Sequence, residues 1–238
     1  MRKKRPYKGF SLTEVLLAVG TLAIGMIFIA GTFLAGIHLT TIATEQTIAA
    51  VVADEAFAKI RLYGLDPNLV PNLLTRFEGL NNSIGPLEFA YPSTATAQKQ
   101  YYWSALCRRV DPDLSSRLVQ VTVFVSRKPG SGTMYPGGAT RPVPVQVGVS
   151  IVPGVGNENR LTIDTPGEEA FVNDGYTIVD NQTGWVYRLL QRNADAPNTI
   201  VLDRVWRSAL ADSVWVVPPP VGGGRGPCIA VYQKMIRF

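Results

Sequence analysis

The chain has 238 residues, of which 46% are hydrophobic, 17% charged and 9% aromatic, a balance that suits one ordered globular domain with an added segment and excludes disordered and collagen-like classes. Its 22 glycines and 17 prolines point to a loop-rich fold. The formal charge is +5, yet Arg2, Lys3, Lys4, Arg5 and Lys8 lie within the first nine residues with no acid beside them, and taking those five from 23 basic residues leaves 18 against 18 acidic ones. The basicity belongs to a leader, and the rest of the chain has no net positive charge to suggest a nucleic-acid partner.

From Val15 to Ile37 no side chain is charged. That run is long enough to cross a hydrocarbon core, which needs roughly 20 helical residues. In lipid the segment has to satisfy its own backbone and so is a helix, and the cations before it hold the N-terminus in the cytoplasm with everything downstream exported. A secretory signal peptide also has a basic start and an apolar stretch, but that stretch is about 7–15 residues long with a small-x-small cleavage site behind it. The run here is longer, although Ala35-Gly36-Ile37 keeps a cleavage site open. An uncleaved signal anchor is the stronger competitor. Glu14 fits neither plan comfortably, since a carboxylate at membrane depth costs about 2–3 kcal/mol unless it is paired or close to the headgroups. Either it sits among headgroups or it meets a cation from another chain.

The residues Lys8-Gly9-Phe10-Ser11-Leu12-Thr13-Glu14-Val15 resemble the cleavage and methylation motif of type IV prepilins and of type II secretion pseudopilins. A short basic leader ends in Gly, Phe follows, Glu is the fifth residue after the cut, and a long apolar helix comes next. The apolar run beyond, Ala18 to Met26, looks most like minor pilins and minor pseudopilins. The resemblance implies that an inner-membrane prepilin peptidase cuts between Gly9 and Phe10 and methylates the new amine of Phe10. The product would be a structural subunit, not an enzyme, with no cofactor. Its partners would be other pilin or pseudopilin subunits, inner-membrane lipids and an inner-membrane assembly platform, and it would pass from the bacterial inner membrane into a periplasmic or cell-surface filament. A physical account supports a role for Glu14 in assembly. An α-amine is largely protonated at neutral pH, with a reference pKa of about 7.7–8. Within the bilayer the Phe10 amine of one subunit and Glu14 of a neighbour would neutralise each other and relieve a desolvation penalty.

Helical patterning continues past the membrane. Thr40 to Tyr63 lacks Pro and Gly, and Ile48, Val52, Ala56 and Ile60 recur every four residues while Glu45, Asp54, Lys59 and Arg61 supply polarity. Gly64 and Pro67 are stop signals. The expectation is a helix over 10–64, apolar over about 15–37 and amphipathic beyond. Gly20, Gly25, Gly31 and Gly36 weaken its apolar part and suit close packing against other helices. Many pilins carry a proline in this helix, whereas none occurs here between Pro6 and Pro67.

Residues 65–100 look irregular, and a period of two then appears. Val119, Val121, Val123 and Val125 share one strand face, preceded by the arm Tyr101 to Val110, whose aromatic start also resembles minor pilins. Val143 to Ile151 alternates, with Pro144 at its entry. Thr177 to Leu190 forms a hairpin around Asp180-Asn181-Gln182-Thr183-Gly184, and Thr199 to Val205, Val214 to Val217 and Cys228 to Ile236 add strands. The predicted class is α+β: a long N-terminal helix packed on a mainly antiparallel, pilin-like β head over 65–238. A second β subdomain is expected from about residue 154.

Cys107 and Cys228 fall in the exported part, where a disulfide persists if formed; joined or left as two buried thiols, both readings stand. Asp111-Pro112-Asp113 offers carboxylates for a calcium loop but reads better as a polar turn, and Asn181-Gln182-Thr183 fits a glycosylation sequon of little weight. His38 is the single histidine and lies just past the apolar run, so no triad, Cys-His dyad or two-His zinc site is available to the head. Three readings compete: a filament subunit, a membrane-anchored enzyme with little to work with, and an uncleaved single-pass anchor bearing a binding module. Type IV pili, type II secretion and DNA-uptake pili share the motif, so the machine stays open.

Overall fold

A computed structural model describes residues 9, 11–94, 98–111, 117–192, 196, 198–208 and 212–238. Phe10, the leader before Gly9, and Pro112-Asp113 of the calcium reading lie outside the described residues. The chain forms two compact units, residues 1–45 and 46–238. The class is α+β, with one long apolar N-terminal helix followed by an antiparallel β region.

Helix α1 spans Leu12–Tyr63. In the first unit it is exposed along its apolar run and is long and apolar enough to cross a membrane, with a mean hydropathy of 2.3 in its best window. The hydroxyls of Thr21, Thr32, Thr40, Thr41 and Thr44 each donate to a carbonyl one turn back, at 2.8–2.9 Å. A hydroxyl satisfied by its own helix leaves no polar group in need of water.

In the second unit the helix is amphipathic as its spacing predicts. Ala49, Val52, Ala53, Ala56, Phe57 and Ile60 are buried, while Asp54 and Arg61 face outward. The stop signal also works as predicted: Gly64 takes φ +73°, its N–H donates to Ile60 O at 3.0 Å, and the Asn81 amide caps the carbonyls of Tyr63 and Gly64 at 3.2 and 2.9 Å.

Residues 65–100 hold short elements rather than none: β1 (Thr75–Arg76), α2 (Phe77–Leu80), a 3₁₀ turn over Pro86–Phe89, and β2 (Ala90–Tyr91). Strands β3 (Tyr101–Arg109) and β4 (Leu118–Arg127) form the expected hairpin, with Ala105 opposite Val123. The last strand, β11 (Cys228–Arg237), pairs antiparallel with β4 and completes a sheet ordered β1-β3-β4-β11, with β2 also on β3. One face of this sheet carries Trp103, Ala105, Cys107 and the four valines of β4, packed against the helix residues 49–60. The other face presents Leu106 and Phe124, which pack with Leu74, Val179, Trp215 and Val217.

Between β4 and β11 lie β5 (Val145–Ile151), β6 (Arg160–Ile163), β7 (Thr177–Asp180), β8 (Val186–Arg192), β9 (Thr199–Leu202) and β10 (Ser213–Val216). They close into a six-stranded antiparallel barrel, ordered β10-β5-β6-β9-β8-β7. Its interior is filled by Val147, Leu161, Ile178, Tyr187, Leu189, Ile200, Val214 and their neighbours, with Trp206 stacked on Tyr187 at 4.8 Å. The barrel begins at Val145 and is an insertion from which the chain returns to the first sheet.

The predicted turn at 180–184 bolts barrel to sheet. Asp180 is buried and accepts the N–H groups of Gln182 and Thr183 at 3.1 and 3.2 Å. Gly184 O accepts Gln233 Nε2 at 2.6 Å, and Gln182 O accepts the Arg108 guanidinium at 2.8 Å, while Arg108 Nε donates to Gln120 at 2.6 Å. Gly184 has φ +71°, and a Cβ there would meet the buried Gln120 amide at 2.7 Å. Gly64 has the same backbone demand in open space. Gly64→Ala is therefore expected to cost about 1–2 kcal/mol, the price of left-handed backbone alone, and Gly184→Ala about 3 kcal/mol or more because Gln120 must also give way. Urea unfolding of the full chain in neutral detergent, followed by tryptophan fluorescence, measures the difference; equal losses would show that the bolt is soft.

Candidate assembly segment and buried thiols

Ser11 occupies the N-cap position of α1. Its carbonyl accepts the N–H groups of Glu14 and Val15 at 3.0 and 3.1 Å, and its hydroxyl lies 2.7 Å from that of Thr13. The spacing Ser11-x-x-Glu14 matches a capping box, so a local use for the acid stands beside the assembly use. Glu14 sits in the first turn, where a negative charge complements the positive end of the helix dipole. Its side chain is exposed, and among the described residues no ion pair reaches it. It heads a shallow, mostly apolar strip formed with Val15, Ala18, Val19 and Leu22. Gly9 is exposed and outside any regular element. A Cβ at Gly20, Gly25, Gly31 or Gly36 would touch nothing, so the chain itself makes no use of their smallness.

The remaining sequence candidates separate cleanly. His38 is exposed on α1. Asn181 is 2% exposed and its Oδ1 accepts Trp215 Nε1 at 2.9 Å, which withdraws it from any glycan in the folded state. Among the described residues no three His, Cys, Asp or Glu side chains gather as a metal site would need.

Cys107 and Cys228 are both free. Register explains why: Cys107 is opposite Val121, Cys228 opposite Ser126, and β4 lies between the strands that carry them. They also face opposite ways, Cys107 toward the helix and Cys228 toward the barrel. A disulfide requires Cβ atoms about 3.5–4.5 Å apart, and adjacent strands alone are about 4.8 Å apart. Burial pushes the Cys107 thiol well above its ordinary value and that of Cys228 up to about 12.

Comparison with protein-family models, with curated proteins and with solved structures finds no match.

Sequence reasoning missed the polar contacts that turn 180–184 makes with Arg108, Gln120 and Gln233. The signal available was an arginine and two glutamines on strands that otherwise read as core. The thiols carry a test: since only a thiolate attacks, iodoacetamide at pH 8 is expected to leave both cysteines unmodified in the folded chain and to alkylate both after denaturation, read by mass spectrometry. Fast labelling of the native protein, or a disulfide-linked peptide, would contradict the arrangement.

Proposed function

We propose that this chain is a structural filament subunit, a minor pilin or pseudopilin, with a pilin-like fold into which a barrel has been inserted. Prepilin peptidase removes residues 1–9 and methylates Phe10; the product is held in the inner membrane with its head exported. It then joins other pilin or pseudopilin subunits on an inner-membrane assembly platform, in a type IV pilus or a type II secretion pseudopilus. The observation that carries the reading is the sequence Gly9-Phe10 four residues ahead of Glu14, leading into a single helix whose charge-free run is followed by an amphipathic half buried against a β sheet. Two features support it. The glycines of the run are open to approach from outside the chain, as small residues at a helix–helix interface in membranes would be. Glu14 has no partner of its own chain among the described residues, which leaves it available to the Phe10 amine of a neighbour.

The closed barrel favours a second reading, since it is more structure than a helix-docked sheet needs. In that reading the chain is an uncleaved single-pass anchor that presents a β-rich binding module.

Mass spectrometry of the protein purified from membranes separates the two. A chain beginning at Phe10 with one added methyl supports the first, and an intact Met1 or unmethylated leader overturns it. Glu14→Leu is expected to be processed normally but to enter the filament fraction at least about tenfold less, because the amine loses a counter-charge worth about 2–3 kcal/mol at membrane depth. Normal incorporation would remove Glu14 from assembly.

A further inference from the structure

Strand β11 is bonded on one side only: it pairs with β4 and is the last strand in the order of its sheet. In an antiparallel pair, opposite residues alternate between exchanging two hydrogen bonds and exchanging none. Phe238 N–H donates to Arg117 O at 3.2 Å, one step beyond the Arg237–Leu118 pair, which fixes the phase. Tyr232, Lys234 and Ile236 therefore turn their backbone groups to β4, and Val231, Gln233, Met235 and Arg237 turn theirs outward. Among the described residues no backbone group meets this outer side. Gln233, Lys234, Met235 and Arg237 are exposed. The open edge from Val231 to Arg237 is about 20 Å long, at about 3.4 Å per residue.

An edge of that length is a template for another strand, and proteins ordinarily blunt it with proline, a bulge, a cover or charge. The stretch 231–237 has no proline, and the bulge of β11 lies ahead of it, between Cys228 and Ala230. What it carries is charge of one sign, Lys234 and Arg237, with no Asp or Glu from 213 to 238. Lys234 is met at 3.8 Å by the exposed Asp54 of α1, and among the described residues no ion pair reaches Arg237. Like charges across a strand pair destabilise it and opposite charges stabilise it. These cations therefore blunt the edge against basic strands and against a second copy of β11, and leave it open to acidic ones. We propose that the β11 edge takes up an extended acidic segment of another polypeptide as an added strand. Its backbone bonds to Val231, Gln233, Met235 and Arg237, and on one face it sets a carboxylate beside Arg237 and an apolar side chain beside Met235. The site is independent of the filament reading, since it needs neither cleavage nor assembly.

The test uses the full chain in neutral detergent at low salt and the probe peptide acetyl-Glu-Thr-Val-Glu-Val-Thr-Val-amide, with its Lys-for-Glu counterpart as control. Laid antiparallel, the probe sets its glutamates beside Arg237 and Lys234. Amide hydrogen exchange is read residue by residue. The Glu peptide is expected to slow exchange at least about fivefold at Val231, Gln233, Met235 and Arg237, and to leave Tyr232 and Lys234 unchanged because β4 already holds their N–H groups. The Lys peptide is expected to slow none of them. Met235→Pro removes one outward donor and no bond to β4, so the native circular dichroism spectrum is expected to persist while the protection falls at least about fivefold. Arg237→Glu is expected to abolish the preference for the Glu peptide, and it decides the matter alone if Met235→Pro does not fold. Equal slowing by both peptides, slowing by neither, or slowing that rises with protein concentration in the absence of peptide, the mark of a second copy on the edge, would overturn the proposal.

Discussion

The second unit depends on β4 having no side open to water. Val119, Val121, Val123 and Val125 face the helix, and Gln120, Thr122, Phe124 and Ser126 face the barrel, all of them buried. A strand enclosed on both faces contributes apolar burial twice over, but each polar group it carries needs a partner inside the protein. That requirement accounts for the position of the turn at 180–184, whose Gly184 carbonyl accepts from Gln120 and Gln233 while Gln233 also donates to Thr122. Burial lowers the Arg108 pKa, with Asp180 opposing. The seam is therefore apolar around Phe124 and Trp215 and polar around Arg108, and barrel and sheet are registered by the second as much as they are held by the first.

The parts of the fold that were legible in the sequence are those specified by neighbours in the chain. The four-residue stripe from Ile48 to Ile60, the stop at Gly64, the β3–β4 hairpin and the hairpin around Asp180–Gly184 each rest on a local period or a local turn. Barrel closure was not legible, because β6 pairs with β9 and β5 with β10, and nothing within a short strand announces a partner that far away. The four residues Arg160 to Ile163 are too short to show any period. Val145 to Ile151 was recognised as a strand but not as the first of a barrel. The N-terminal motif is a linear pattern, and what the structure adds to it is the helix that begins at Leu12.

Net charge gave an incomplete account of this molecule. Beyond the leader the formal charges cancel, yet they are not mixed. Among the residues flanking the inserted strands, Arg117, Arg127, Lys128, Arg141, Arg225, Lys234 and Arg237 face no Asp or Glu of their own segments, whereas Glu158, Asp164, Glu168, Glu169 and Asp174 cluster in sequence inside the insertion. Arg141 and Lys234 are matched from elsewhere, by Glu78 and Asp54. At physiological ionic strength a local excess of either sign acts over only about 8 Å.

The return of the chain to β11 also sets an order of events. A polypeptide made and delivered from its N-terminus presents the six barrel strands complete before Cys228 to Arg237 exists. Until that last strand arrives, β4 has a free edge along its whole length, the kind of edge that recruits foreign strands. The barrel can close first and shield one face of β4, but only the ten residues Cys228 to Arg237 can seal its edge. Maturation of the sheet is thereby coupled to synthesis of β11, and a polypeptide ended before it would carry a finished barrel on an open, adhesive sheet.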